Sequence, residues 1–177
     1  LPRVFGLEDD TARQIAKRLV TASTVEHIAP LLGQVKEEMG ISLSARQDKA
    51  VQMAFRHNLS IITGSPGTGK TTVLKTILEV YRRLHPDGKI MLMAPTGRAS
   101  RRMAESTGFE EAKTLHSGLG LVSEDDEGDR KKETSALDAG LIIVDEFSMV
   151  DMWLANKFFS RIKEGARIVL VGDPDQL

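Results

Sequence analysis

Short apolar runs alternate with longer amphipathic stretches along most of the chain. The apolar runs occupy residues 59–63, 89–94, 141–145 and 167–171. Between the first two, apolar side chains recur at three- and four-residue spacing over residues 70–84, which is the period of an α-helix. Strands that alternate with helices form a parallel sheet with helices on both faces. The pattern therefore predicts an α/β fold of this kind.

The chain before residue 59 is helical in pattern. Apolar residues keep helical spacing over residues 12–20 and again over residues 31–39, and a glycine follows the second stretch. Ser44 then precedes a third helical stretch, and its hydroxyl can cap a helix N-terminus. We therefore divide the chain into a small helical segment, residues 1–40, and an α/β domain, residues 41–177.

One stretch inside the α/β domain lacks the apolar side chains that a core needs. Residues 122–138 are rich in Glu, Asp, Lys and Gly. A segment of this composition cannot bury much surface. We expect an exposed insertion at about residues 118–137.

Three aromatic residues follow the third apolar run at helical spacing: Trp153, Phe158 and Phe159. Exposed aromatic rings could stack on the bases of a nucleic acid. Rings at helical spacing more often pack a helix onto a sheet. We therefore interpret all three as core residues.

Composition and charge exclude several classes of protein. Lys and Arg (24) nearly balance Asp and Glu (25), so any contact with nucleic acid must come from a local patch. The absence of cysteine excludes disulfides and thiolate chemistry and suits a reducing compartment such as the cytoplasm. The apolar runs are far shorter than the ~20 residues of a membrane helix. Leu1 and Leu177 look like cuts in a longer protein.

A phosphate-binding motif lies between the first strand and the helix that follows it. Its glycines let backbone N–H groups surround an anion, and the helix adds its positive N-terminus. Lys70 can reach the β- and γ-phosphate oxygens, the Thr71 hydroxyl can ligate Mg²⁺, and Thr72 can contact the α-phosphate or pack the helix. A turn that binds nothing is the alternative, but every motif position is filled in the required context. The pattern G-x-x-x-x-G-K-[ST] is formed by Gly64, Ser65, Pro66, Gly67, Thr68, Gly69, Lys70 and Thr71.

Two carboxylates follow the third apolar run. Asp145 and Glu146 end this run, so they should emerge at the carboxyl end of a strand. Ligands of doubly wound sheets lie at this edge, beside the phosphate loop. We assign Asp145 to Mg²⁺, directly or through water, and Glu146 to the general base that positions the hydrolytic water. An acidic helix cap after a core strand is the alternative.

Several of these segments resemble the motifs of superfamily 1 helicases. Residues 64–72, 94–100 and 144–151 resemble motifs I, Ia and II, and the last of these resembles the RecD branch in particular. Residues 43–47 resemble the Q motif and residues 171–177 resemble motif III, in the order of the family. The resemblance implies a RecA-like fold and the first motor domain of an ATP-dependent 5′-to-3′ DNA helicase that uses ATP and Mg²⁺.

The resemblance also implies roles for two glutamines. Gln47 would hydrogen-bond the adenine edge, and Gln176 would approach the γ-phosphate and relay its presence toward DNA. A side-chain amide both donates and accepts hydrogen bonds, so it suits both roles. Without the resemblance, Gln47 is a polar helix residue and Gln176 a turn residue, each more often solvated.

A local basic segment is the candidate for nucleic-acid contact. Thr96, Gly97 and Arg98 follow the second strand, so they should lie at the ligand-binding edge of the sheet. Arg101 and Arg102 extend the positive patch. A hydroxyl, a glycine backbone and guanidiniums suit the phosphates of single-stranded DNA. A solvated, N-capped helix whose arginines balance nearby glutamates is the alternative, and the resemblance to motif Ia favours DNA.

Two further features of the family bear on DNA. His116 lies in a segment that resembles the one after motif Ia, which touches the DNA strand, although a lone histidine is more often structural. The family carries a duplex-splitting β-hairpin where this chain has residues 118–137. The segment here is acidic with few aromatics, so we interpret it as a surface loop.

Translocation requires more than one motor domain. By resemblance, a second RecA-like domain of the same protein closes over the nucleotide and supplies an arginine finger, which in related enzymes raises turnover about 10³- to 10⁵-fold. We therefore expect slow hydrolysis by this chain alone. The further partners implied are single-stranded DNA and repair or recombination subunits, with no membrane. The alternatives are a P-loop ATPase that switches protein partners and a P-loop kinase, which leaves residues 96–98 and 172–176 unexplained.

Overall fold

The helices and strands alternate from residue 59 onward, as the apolar pattern predicts. The computed structural model describes residues 11–13, 15, 26–64, 69–109, 111–121 and 136–172. The helices are α1 (Ala29–Met39), α2 (Ala45–Arg56), α3 (Lys70–Leu84), α4 (Gly97–Thr107), the short α5 (Leu115–Gly118) and α6 (Met152–Ser160). The strands are β1 (Leu59–Thr63), β2 (Ile90–Ala94), β3 (Ala112–Thr114), β4 (Leu141–Val144) and β5 (Arg167–Gly172), and a 3₁₀ turn spans Phe147–Met149.

The five strands form one parallel sheet in the order β1-β5-β4-β2-β3. The predicted α/β fold with a parallel sheet is therefore confirmed. Strand β3 was not predicted, because three residues are too few to show a period of two. The order places β5 between β1, which leads into the phosphate loop, and β4, which leads into Asp145.

Strands β4 and β5 are buried on both faces of the sheet, which explains their continuous apolar sequences. Leu141 and Ile143 of β4 pack in a core with α1, α2 and α3, whereas Ile142 and Val144 pack in a second core with α6. Side chains alternate between the two faces because successive residues of a strand point in opposite directions. Each fully buried Leu, Ile or Val contributes about 1.5–3 kcal/mol. Helices therefore cover both faces of the sheet.

The positions of the aromatic residues on helix α6 confirm two of the three predicted core assignments and contradict the third. Phe158 and Phe159 are fully buried in the second core, so their assignment to the core is confirmed. The assignment of Trp153 is wrong: its side chain is 45% exposed. Trp153 faces solvent on α6, where the Lys157 ammonium lies 5.7 Å from the centre of its ring.

The N-terminal part of the chain packs onto the α/β core. Helix α1 ends at Gly40, whose φ of 63° is the left-handed conformation that glycine adopts readily. Ile28, Leu32 and Val35 are buried in the same core as α3. The division into two segments at residue 40 stays a prediction.

The predicted exposed insertion at residues 118–137 is wrong at both of its ends, where the chain packs into the core. Leu119 is fully buried and Leu137 is 6% exposed, both within the second core. Residues 122–135 lie outside the described part of the chain, so their exposure stays a prediction. Among the helices that are described, none is long and apolar enough to cross a membrane.

Candidate functional site

The predicted nucleotide residues converge on one cleft. Lys70 and Thr71 open α3, whereas Asp145 and Glu146 follow β4. Their convergence follows from topology, because the carboxyl ends of parallel strands meet at one edge of the sheet. The cleft has a volume of about 440 Å³ and is lined by Lys70, Thr71, Leu74, Arg102, Met103, Ser106, Asp145, Glu146, Ser148, Met149, Val171 and Gly172.

Gly69 closes the phosphate loop and begins α3. Its φ of 79° and ψ of 23° are left-handed, a conformation that costs glycine little. The Gly69 carbonyl accepts a hydrogen bond from the Val73 N–H at 3.2 Å and one from Gln47 Nε2 at 3.5 Å. The side-chain amide of Gln47 therefore lies directly beside the end of the phosphate loop.

Gln47 is held in this place by a capping box at the start of α2. Ser44 Oγ accepts from the Gln47 N–H at 3.2 Å, and Gln47 Oε1 accepts from the Ser44 N–H at 2.9 Å. This reciprocal pair satisfies two backbone donors at the helix N-terminus. The predicted Ser44 cap is confirmed, whereas the contact of Gln47 with Gly69 was not predicted.

An ion pair joins α1 to the helix that carries Gln47. Lys36 Nζ donates to Asp48 Oδ2 at 2.9 Å. This hydrogen bond lowers the pKa of Asp48 below its ordinary value, so the carboxylate stays ionised beside its partner. The pair helps to fix the orientation of α2 against α1.

The backbone after β4 turns sharply at Glu146. Asp145 donates its N–H to the Met93 carbonyl at 2.9 Å, and Asp145 Oδ1 accepts from the Glu146 N–H at 2.8 Å. Glu146 has a φ of 51° and a ψ of 40°, and it is the one non-glycine residue with positive φ in the described part of the chain. Left-handed backbone at a non-glycine residue costs of order 1–3 kcal/mol and often marks a functional site. The turn holds the Glu146 side chain in the lining of the cleft.

The predicted DNA residues lie beyond the ends of two neighbouring strands. Ala94 of β2 pairs with Thr114 of β3, so the starts of α4 and α5 lie side by side. Thr96 Oγ1 accepts from the Ala99 N–H at 3.1 Å, which confirms an N-capped helix. Thr96, Arg98 and His116 are exposed at this edge, and Gly97 is half-buried there.

Part of the predicted site lies outside the described residues. These positions are Ser65, Pro66, Gly67, Thr68 and Gln176. The phosphate cradle and the role of Gln176 therefore stay predictions. Within the described ranges, no three His, Cys, Asp or Glu side chains are grouped so that they could hold a metal ion.

Arg102 was assigned to the basic patch, and the structure also places it in the lining of the cleft. Together with Met103 and Ser106 it lies beside Lys70 and Asp145 in that lining. Ala99 and Met103 are buried and mark the inner face of α4, which Arg102 flanks. The sequence contains a signal for this difference: by helical spacing, Arg102 lies closer than Arg101 to the face of α4 that carries Ala99 and Met103.

The Gly69→Ala substitution is expected to weaken nucleotide binding by about tenfold or more in the complete protein. A Cβ at Gly69 would collide with Gln47 Nε2, and the left-handed φ adds strain. Titration with a fluorescent ATP analogue measures the loss. Gly108→Ala is the matched control, since Gly108 has a φ of 68° and nothing within 4 Å of a Cβ. Equal affinity in both variants would show that the close approach of Gln47 is unimportant.

Comparison with known proteins identifies the family. The family model described as AAA domain matches residues 47–177. The ATP-dependent RecD2 DNA helicase of Deinococcus radiodurans is 38% identical over 135 residues, which cover 76% of this chain and 18% of that protein. The RecBCD enzyme subunit RecD of Mycolicibacterium smegmatis is 33% identical over 196 aligned positions, covering 98% of this chain and 34% of that protein.

A solved structure supports the same assignment. The crystal structure of Pif1 helicase from Candida albicans matches with a TM-score of 0.54 and 30% identity, covering 75% of this chain and 33% of that chain. The chain thus spans only about a fifth to a third of the length of the two relatives described above. The chain belongs to the AAA-domain family, as a RecA-like motor domain of the RecD-like superfamily 1 type.

Proposed function

We propose that the chain is the first motor domain of an ATP-dependent DNA helicase, which hydrolyses Mg-ATP to drive translocation on single-stranded DNA. The observation that carries this proposal is the convergence of Lys70 and Thr71 with Asp145 and Glu146 in one cleft. The names of the relatives, an ATP-dependent DNA helicase and a RecBCD subunit, support it.

Nucleotide binding falls to the phosphate loop and its neighbours. Residues 64–72 would donate backbone N–H groups to the phosphates, and Lys70 would contribute the cation. Gln47 recognises the adenine edge, a role that its place beside Gly69 supports. Its amide would have to divide its hydrogen bonds between the base, the helix cap and Gly69.

A magnesium site fits the oxygen ligands of the cleft. Thr71 and Asp145 line the same cleft and would hold the ion. Magnesium prefers a few protein oxygens together with phosphate oxygens, so one hydroxyl and one carboxylate suffice. Because Asp145 Oδ1 accepts the Glu146 N–H, Oδ2 is the oxygen that we assign to the metal. A bound Mg²⁺ would neutralise charge on the phosphate oxygens.

Hydrolysis uses Glu146 as the general base. Glu146 accepts a proton from a water molecule while the water oxygen bonds to the γ-phosphorus. The bond from the γ-phosphorus to the bridging oxygen breaks, which releases ADP and inorganic phosphate. Lys70 stabilises the charge on the transferred group. Gln176 responds to the γ-phosphate and relays its presence toward DNA.

The exposed edge beyond β2 and β3 contacts DNA in this proposal. Thr96, Gly97, Arg98 and His116 contact the phosphates of a single strand without reading its bases. A second RecA-like domain closes over the nucleotide and supplies the arginine finger. The RecBCD relatives support an assembly with other recombination subunits.

The ATPase activity of the complete protein is expected to rise with single-stranded DNA and to lose this stimulation as salt increases. Each phosphate contact contributes about 0.7 to the slope of log affinity against log salt for a single strand, so Arg98→Ala should reduce that slope by about this amount. Lys89→Ala is the matched control, because Lys89 precedes β2 at the opposite edge of the sheet. Fluorescence anisotropy with single-stranded DNA over a salt series measures the slope for both variants.

Two outcomes would favour the rival functions. A turnover rate that ignores DNA at every salt concentration would favour the ATPase that switches protein partners. A phosphorylated acceptor instead of free inorganic phosphate would favour the kinase.

A further inference from the structure

One of the three arginines of α4 lines the cleft. Arg98, Arg101 and Arg102 are all exposed, but Arg102 alone of the three lines the nucleotide cleft. Successive helical residues are about 100° apart, so Arg101 and Arg102 project from different sides of α4. Arg102 flanks the buried Met103, whereas Arg101 lies on the outer side.

The sheet order fixes where Arg102 lies relative to the other cleft residues. Along the carboxyl edge, β1 leads to Lys70, β4 leads to Asp145 and Glu146, and β2 leads to α4. The segment after β4, which carries both carboxylates, therefore begins between the ends of β1 and β2. Helices α3 and α4 also pack beside each other, so both walls face the same cleft.

The charge of Arg102 is available to a ligand. The cleft is lined by two cations, Lys70 and Arg102, and by two carboxylates, Asp145 and Glu146. None of the ion pairs in the described part of the chain involves Arg102. A guanidinium presents a planar set of donors that matches two phosphate oxygens.

We propose that Arg102 binds the terminal phosphate of the nucleoside triphosphate from the α4 wall of the cleft. The inference rests on the proposed nucleotide function and adds a phosphate contact from within this domain. Residues that activate the attacking water lie at the terminal phosphate; Arg102 follows β2 on one side of β4, whereas Lys70 follows β1 on the other side. Arg102 thus contacts the γ-phosphate and not the α- or β-phosphate.

The test compares triphosphate with diphosphate binding in the complete protein. Arg102→Ala is expected to lower the affinity for a non-hydrolysable ATP analogue by about 10- to 100-fold, because a charge-assisted hydrogen bond is lost. The affinity of this variant for ADP should stay within about twofold of the affinity of the unaltered protein for ADP. Arg102→Lys should restore part of the loss, since it keeps the charge but not the planar fork. Arg101→Ala is the matched control and should leave both affinities unchanged.

Three outcomes would overturn the inference. In the first, Arg102→Ala binds both nucleotides as Arg101→Ala does. In the second, Arg102→Ala weakens the binding of the ATP analogue and of ADP equally. In the third, Arg102→Ala keeps its preference for the triphosphate but no longer binds single-stranded DNA in the absence of nucleotide. The last result would return Arg102 to the DNA patch. A titration of the unaltered protein with Mg-ATP distinguishes a failure of this inference from a failure of the proposed function. If the unaltered protein does not bind Mg-ATP, the proposed function and the role of Arg102 are both wrong. If it binds Mg-ATP normally, only the role of Arg102 is wrong.

Discussion

The Lys70→Ala substitution is expected to abolish magnesium-dependent ATP binding and DNA-stimulated turnover in the complete protein. Lys70 opens α3 in a cleft that also contains Asp145 and Glu146, so its loss leaves the triphosphate beside two carboxylates with less compensating charge. Loss of a preorganised group that stabilises developing charge costs about 10²- to 10³-fold in turnover. Equilibrium titration with ATP and a phosphate-release assay measure the two effects.

Lys75→Ala is the control for this variant. Lys75 lies on the same helix, is exposed, and does not line the cleft. Its replacement removes one positive charge from α3 and should leave ATP binding and turnover unchanged. Normal turnover in Lys70→Ala would refute the assignment of residues 64–72 to the triphosphate.

The sequence predicted the parts of the fold that depend on local patterns. The bounds of β1 follow from a short apolar run and those of α3 from apolar residues at helical spacing, and both agree with the structure. The meeting of Lys70 with Asp145 was also predictable, because parallel strands deliver their carboxyl ends to one edge. These features require only the order of elements along the chain.

Other features depend on packing in three dimensions. The left-handed φ of Glu146 could not be predicted, because glutamate has no preference for that conformation. Trp153 and Phe158 both lie on α6, but the helix turns the first to solvent and the second to the core.

Strand β2 contacts both the proposed DNA edge and the proposed metal ligand. Residue Met93 of β2 accepts the Asp145 N–H, and β2 leads directly into Thr96. A Cβ on Gly118, which ends α5, would collide with the Met93 side chain. The segment that contains His116 is therefore packed against the strand that supports Asp145. A short, close-packed connection of this kind suits a motor whose hydrolysis depends on DNA.

The Glu146→Gln substitution is expected to preserve Mg-ATP binding and to reduce hydrolysis by about 10²- to 10⁴-fold, the range that a general base contributes. Glutamine has the shape of glutamate and can form the same backbone turn, including the N–H bond to Asp145, but it cannot accept the proton of the attacking water. Single-turnover hydrolysis and ATP affinity, measured on the complete protein, separate the chemical step from binding.

The Glu164→Gln variant controls for the loss of one negative charge, since Glu164 is exposed on the loop before β5 and lies outside the cleft. It should hydrolyse ATP at the normal rate. Unchanged turnover in Glu146→Gln would remove Glu146 from the base role and leave Asp145 as the remaining cleft carboxylate. Loss of ATP binding in Glu146→Gln would instead assign the Glu146 carboxylate to nucleotide binding and not to proton transfer.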